Sequence, residues 1–316
     1  MDRPIPQLNL DDFRSDSAAE RDAFVQALGD AFSEVGFVAI RGNLLNWRII
    51  DRLYEQIQLF FRLPQSLKDP YTLPDGAGQR GYTAFGKESA KGRNVGDLKE
   101  FWHFGPDLSP DSPYFDRYPK NIQVQELSSF NPMGQECFQV FQNIAQEVLK
   151  ALAIYLKLPE NYFDPYIAEG NSILRAIHYP PITAEPKDAI RAAAHGDINL
   201  ITLLVGAQGG GLQVQNRQGD WVDATAETDE ILINIGDMLS RLSNNRLRST
   251  IHRVVNPPRT QWHLSRFSIP FFLHPVPDMP LNCLAHLVDE QNPKKYPDIT
   301  AGEFLEERLK ELGLRE

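Results

Sequence analysis

At 316 residues, with 42% hydrophobic and 23% charged side chains, the chain is long enough for a large buried core and too apolar to stay disordered. Asp and Glu outnumber Lys and Arg by 42 to 32, a net charge of -10, and no basic stripe could track a phosphate backbone, so nucleic acid is not an expected partner. The acidic, proline-broken start does not read as a signal peptide, no stretch approaches the ~20 apolar residues of a membrane span, and Cys137 and Cys283 form no CxxC, so a cytoplasmic protein with no membrane or obligate protein partner is expected.

Ser17 and Glu20 form a capping-box pattern ahead of Phe24, Leu28, Ala31 and Phe32, which predicts a helix. Gly36 to Ile40 reads as a buried strand, and Ile49, Ile50, Leu53, Ile57 and Phe60 as the apolar face of a second helix. Leu73 to Gly96 holds Gly76, Gly78, Gly81, Gly86, Gly92 and Gly96 among charges, which predicts a long loop. Tyr82 and Phe85 inside it, with Lys99 and Trp102 just beyond, are either walls of a substrate pocket or ordinary packing and surface residues. A third helix is expected from Pro132 to Leu156, with Phe138, Phe141, Ile144, Val148, Leu152 and Tyr155 on its apolar face. Residues 1–160 therefore read as a largely helical region.

From Ser172 the texture changes to short β-branched and apolar runs: Ser172 to His178, Ala192 to His195, Leu200 to Val205, Leu212 to Gln215, Ile231 to Ile235, His252 to Val255 and Ser265 to Phe272. Strands of this length, parted by Gly209-Gly210-Gly211 and Asn216 to Gly219, predict a mainly β fold with helical additions, a double-stranded β-helix or jelly roll over 171–280. Thr300 and Glu303 form a second capping box, with Gly313 placed to stop a C-terminal helix over 298–314. No internal repeat is present, and the whole chain reads as one domain.

The chemistry concentrates in five residues. In an extended strand, side chains two apart share a face, so His195 and Asp197 can enter one cavity while Gly196 faces away. His252, opening a later strand, can supply a third ligand. Two neutral imidazoles and one carboxylate leave half an octahedron open, an arrangement suited to non-heme Fe(II) that must admit other ligands. His103, His263, His274 and His286 lack a carboxylate at strand spacing and read as packing or surface residues, and His178 is less certain. Beyond His252, Arg266 and Ser268 sit two apart in a strand-like run, and a guanidinium beside a hydroxyl suits a carboxylate. The other reading of Arg266 is an internal ion pair.

At these residues the chain resembles the 2-oxoglutarate and Fe(II)-dependent oxygenase superfamily, in its isopenicillin N synthase-like branch. His195-Gly196-Asp197, His252 and Arg266-Phe267-Ser268 carry the resemblance, with Ile5 to Leu8, Gly36-Phe37, Gly210 to Val214, Asn234 to Asp237 and Ser243-Asn244 extending it along nearly the whole chain. It implies that His195, Asp197 and His252 bind Fe(II), that Arg266 and Ser268 hold the distal carboxylate of 2-oxoglutarate, and that Tyr179 contacts the co-substrate or the substrate. Where many plant members have Asn two residues before that tyrosine, this chain has Ile177, and no contact is expected there. The implied activity couples decarboxylation of 2-oxoglutarate to succinate, with dioxygen (O2), to hydroxylation, desaturation or cyclisation of a small molecule. Two other readings stand: an Fe(II) oxidase of the isopenicillin N synthase type that does not use 2-oxoglutarate, and a non-catalytic jelly-roll binding protein.

Overall fold

Alternation of apolar side chains, one set inward and one outward, builds the two faces of the principal sheet. The structure is a computed structural model that describes residues 5–73, 79–88, 96–205 and 210–311. Its strands are β1 (Gln7–Asn9), β2 (Phe37–Arg41), β3 (Gly81–Thr83), β4 (Glu100–Phe104), β5 (Ile173–Tyr179), β6 (Ala192–His195), β7 (Ile201–Val205), β8 (Leu212–Gln215), β9 (Trp221–Asp223), β10 (Ile231–Ile235), β11 (His252–Val254) and β12 (Arg266–Leu273). The larger sheet runs β1, β2, β10, β7, β12, β5, β4, β3, and the smaller runs β6, β11, β8, β9. Only β1 and β2 pair in parallel among the named strands.

On the outer face of the larger sheet, Val38, Ile40, Ile233, Leu203, Ile269, Phe271, Ala176, Trp102 and Phe104 join one hydrophobic cluster with the helices. Those helices are α1 (Leu10–Phe13), α2 (Ala18–Glu34), α3 (Trp47–Phe61), α4 (Gln65–Lys68), α5 (Phe130–Tyr155), α6 (Asp164–Ile167), α7 (Asp237–Leu242) and α8 (Ala301–Glu311). The inner face meets the smaller sheet through Phe37, Ala39 and Leu232 against Ala192, Leu212, Val214 and Val254. This is the predicted jelly roll, with sheets face to face and helices covering one side.

The second capping box forms in full, with Thr300 and Glu303 capping α8 reciprocally, whereas the first forms by half: Ser17 accepts from the Glu20 amide, but the Glu20 carboxylate and the Ser17 amide both bond the Ser15 hydroxyl. Gly313, Gly76, Gly78, Gly92 and Gly209 lie outside the described residues. The first half is less helical than expected, because β1, β3 and β4 extend the larger sheet from residues 1–160. Two of these strands have only three residues, too few for alternation to register, and β3 falls inside the span expected as loop.

Candidate metal centre

β11 lies beside β6 with His252 directly opposite His195, so residues far apart in sequence become neighbours across one ladder. Each imidazole is oriented by its own chain: His195 Nδ1 lies 2.7 Å from the Ala193 carbonyl, and His252 Nδ1 lies 3.1 Å from that of Thr250. A proton on each Nδ1 leaves both Nε2 lone pairs available, as a metal ligand requires. Those Nε2 atoms stand 3.9 and 3.8 Å from Asp197 Oδ1. The three ligand atoms all lie within 4.8 Å of one another.

Asp197 corrects the expected strand geometry. β6 ends at His195, so Asp197 reaches the cluster from the segment after the strand rather than by alternation within it. The larger sheet fixes its position: Thr202 Oγ1 on β7 donates to Oδ2 at 2.6 Å, and Asn234 Nδ2 on β10 donates to the same oxygen at 2.7 Å. Oδ1 is thereby left toward the histidines. Burial pushes the carboxyl upward in pKa, but the two histidines and these hydrogen bonds outweigh it and hold it below its ordinary value. Burial, followed by the neighbouring His252, holds the His195 imidazole below its ordinary value and favours the neutral form. Two neutral nitrogens and one ionised oxygen fit a divalent iron ion.

On the face of the larger sheet that carries Thr202 and Asn234, Arg266 and Tyr179 are opposite one another on β12 and β5, and Ser268 is opposite Ile177. All three polar side chains are buried, and the Arg266 guanidinium carbon sits 4.8 Å from the centre of the Tyr179 ring. Arg266 Nε donates to the Gly210 carbonyl, while its Nη1 has no partner among the described residues. The internal ion pair weighed for Arg266 does not form among those residues. A buried guanidinium with an unused donor beside a hydroxyl suits an incoming carboxylate.

The expected substrate wall needs correction. Trp102 is fully buried and packs on Phe60, Phe130 and Tyr71, and Tyr82 is 1% exposed, its hydroxyl bonded to Glu100. Both belong to the helix-covered face. The opposite face of β4 instead presents Phe101, which clusters with Ile177 and Tyr179. Lys99 is not a surface residue: it is buried and paired with Asp97 and Glu88 at 2.9 and 3.0 Å. Phe85 is half exposed in a turn. His178 also faces the helices, bridging Glu100 and Ser265. His103 bonds Arg175, and His286 bonds the Leu156 carbonyl, as packing residues. Thr202, Asn234 and Phe101 went unassigned in the sequence, because alternation in strands buried on both faces does not say which phase points away from the helices.

A cavity of about 850 Å³ opens elsewhere, lined among others by Tyr155, Lys157, Arg246 and His286, and contains none of the three clustered ligands. No described helix is long and apolar enough to cross a membrane.

Comparison with known proteins agrees with this geometry. Residues 5–126 match a family described as non-haem dioxygenase in morphine synthesis N-terminal, and residues 170–275 match the 2OG-Fe(II) oxygenase superfamily. The chain is 32% identical to proline hydroxylase buaE of Petromyces alliaceus, over 96% of this chain and 98% of that one. It is 29% identical to a 2-oxoglutarate-Fe(II) type oxidoreductase of Aspergillus fumigatus, over 98% of this chain and 93% of that one. A crystal structure from Caulobacter crescentus, assigned to the 2OG-Fe(II) oxygenase family, is similar with a TM-score of 0.89 at 41% identity, covering 98% of this chain and 100% of that one. A full-length Neurospora crassa protein crystallised in complex with alpha-KG and thymine is similar with a TM-score of 0.84 at 28% identity, covering 97% of this chain and 96% of that one. The chain belongs to the 2OG-Fe(II) oxygenase superfamily and is a 2-oxoglutarate-dependent non-heme iron dioxygenase.

Proposed function

We propose that His195, Asp197 and His252 hold the catalytic Fe(II), that Arg266, Ser268 and Tyr179 hold the distal end of 2-oxoglutarate, and that the reaction oxidises a small molecule. The observation that carries this reading is the convergence of two imidazole nitrogens and one carboxylate oxygen, with a buried arginine that has no ion pair among the described residues on the sheet face whose Thr202 and Asn234 hold that carboxylate. Iron, 2-oxoglutarate and dioxygen, when bound, supply the oxidising chemistry and release succinate and carbon dioxide. The chain's part is placement. The carbonyls of Ala193 and Thr250 orient the imidazoles, Thr202 and Asn234 orient the carboxylate, and Arg266 sets the direction from which a dicarboxylate reaches the metal.

Phe101 and Lys99 are the residues of β4 and its approach that we assign to the substrate side, with Phe85 at the rim; Tyr82 and Trp102 support the sheet from behind. A net charge of -10 favours a small molecule over nucleic acid. We assign the cytoplasm as its compartment, consistent with two unbridged cysteines. We also infer one oxygenase domain, its 171–280 core supported by the helices on either side in sequence, because a single hydrophobic cluster joins Leu10 to Phe304.

Arg266→Ala should raise the 2-oxoglutarate requirement about 10- to 100-fold, the loss expected for charge-assisted hydrogen bonds, with metal affinity unchanged. Equal 2-oxoglutarate affinity in the variant would remove Arg266 from the site. Substrate-stimulated succinate release, screened across small molecules with mass spectrometry of the product, separates this activity from an oxidase that ignores 2-oxoglutarate.

A further inference from the structure

A second arginine stands beside the first. Arg191 directly precedes β6, is 3% exposed, and carries its guanidinium carbon 5.6 Å from the centre of the Tyr179 ring that Arg266 approaches to 4.8 Å. Two buried cations thus share one aromatic ring. Among the described residues, Arg191 Nε and Arg266 Nη1 have no hydrogen-bond partner, and neither guanidinium forms an ion pair. Burial, and then repulsion from Arg266, push the Arg191 pKa down to about 10. Contact with the ring face eases such crowding but neutralises no charge. Two desolvated cations with unused donors call for an anion between them.

A carboxylate has lone pairs for about four hydrogen bonds, and one guanidinium with one hydroxyl uses two or three of them. We propose that Arg191 is a second binding residue for the distal carboxylate of 2-oxoglutarate, closing with Arg266 and Ser268 a two-guanidinium pocket around Tyr179. The inference rests on the reading that Arg266 and Ser268 hold the co-substrate. The same chemistry could take a carboxylate of the oxidised substrate, and the experiment separates the two sources because it contains no such substrate.

The test is anaerobic calorimetric titration of 2-oxoglutarate into the Mn(II)-loaded full chain, comparing wild type with Arg191→Gln, Arg191→Lys, Arg266→Gln and the exposed control Arg117→Gln. Arg191→Gln should raise the dissociation constant about 10- to 100-fold, Arg191→Lys less, and Arg117→Gln not at all. Affinity in Arg191→Gln should also depend less steeply on salt, which lost packing alone would not produce. Glutarate, which lacks the keto group, should bind the metal-free wild type more tightly than metal-free Arg191→Gln. If both Arg191 variants bind 2-oxoglutarate as wild type does while Arg266→Gln does not, the inference is overturned and the co-substrate reading survives. If Arg266→Gln also binds normally, or wild type does not bind at all, the co-substrate reading itself fails and takes the inference with it. Should Arg191→Gln not fold, Arg191→Lys decides: weaker 2-oxoglutarate binding than wild type supports the inference, and wild-type binding overturns it.

Discussion

Asp197 Oδ2 accepts from both Thr202 and Asn234, and that commitment leaves Oδ1 as the oxygen offered toward the two histidines. Outer hydrogen bonds of this kind tune affinity as well as orientation. Thr202→Val keeps the shape of the side chain and removes the donor, so it should weaken Mn(II) or Fe(II) binding about 10- to 100-fold in a chelator competition while the fold is retained. Unchanged metal affinity would mean that the carboxylate is positioned by the backbone alone. The candidate ligands that the structure brings together were readable in the sequence because few side-chain types bind iron. Their partners were not, since Thr202 and Asn234 become specific only when β7 and β10 lie side by side.

Within β4, a shift of one position separates the residue that faces Tyr179 from the one that packs under the helices. Phe101 pairs with Ile177 on one face, and Trp102 pairs with Ala176 on the other. Period-two alternation gives the spacing but not which phase points inward when every residue of Glu100–Phe104 is buried. The sequence expectation chose the wrong phase for Trp102. Trp102→Ala should consequently cost about 3–5 kcal/mol in urea unfolding, as expected for emptying a packed aromatic site. Normal stability with a selective loss of substrate turnover would return Trp102 to the substrate wall. By contrast, β6, β8 and β10 have the boundaries expected from sequence, because each is a short apolar run flanked by turn residues.

Across the whole molecule, titratable groups taken into the interior make folding sensitive to acid. His274, which follows β12, has its pKa lowered to about 4 by burial, against about 6.5 in an unfolded chain. Between those values the unfolded chain takes up a proton that the folded chain refuses. The resulting penalty is therefore absent above about pH 6.5, and stability falls by about 1.4 kcal/mol per pH unit as pH drops toward 4. In urea titrations of the metal-free protein at about pH 7 and pH 5, His274→Gln should show the shallower fall. An equally steep fall would exclude His274 as a source of acid sensitivity.

Residue types and local spacing by themselves determined the ligand chemistry, the main helices and the β-rich second half, since capping, periodicity and metal preference are properties of short segments. Only the tertiary structure decided that His252 would stand opposite His195, that Asp197 would reach in from beyond its strand, and that Arg191 and Arg266 would share one ring. Strand pairing and face selection depend on what lies across the sheet, and a linear sequence does not contain that partner.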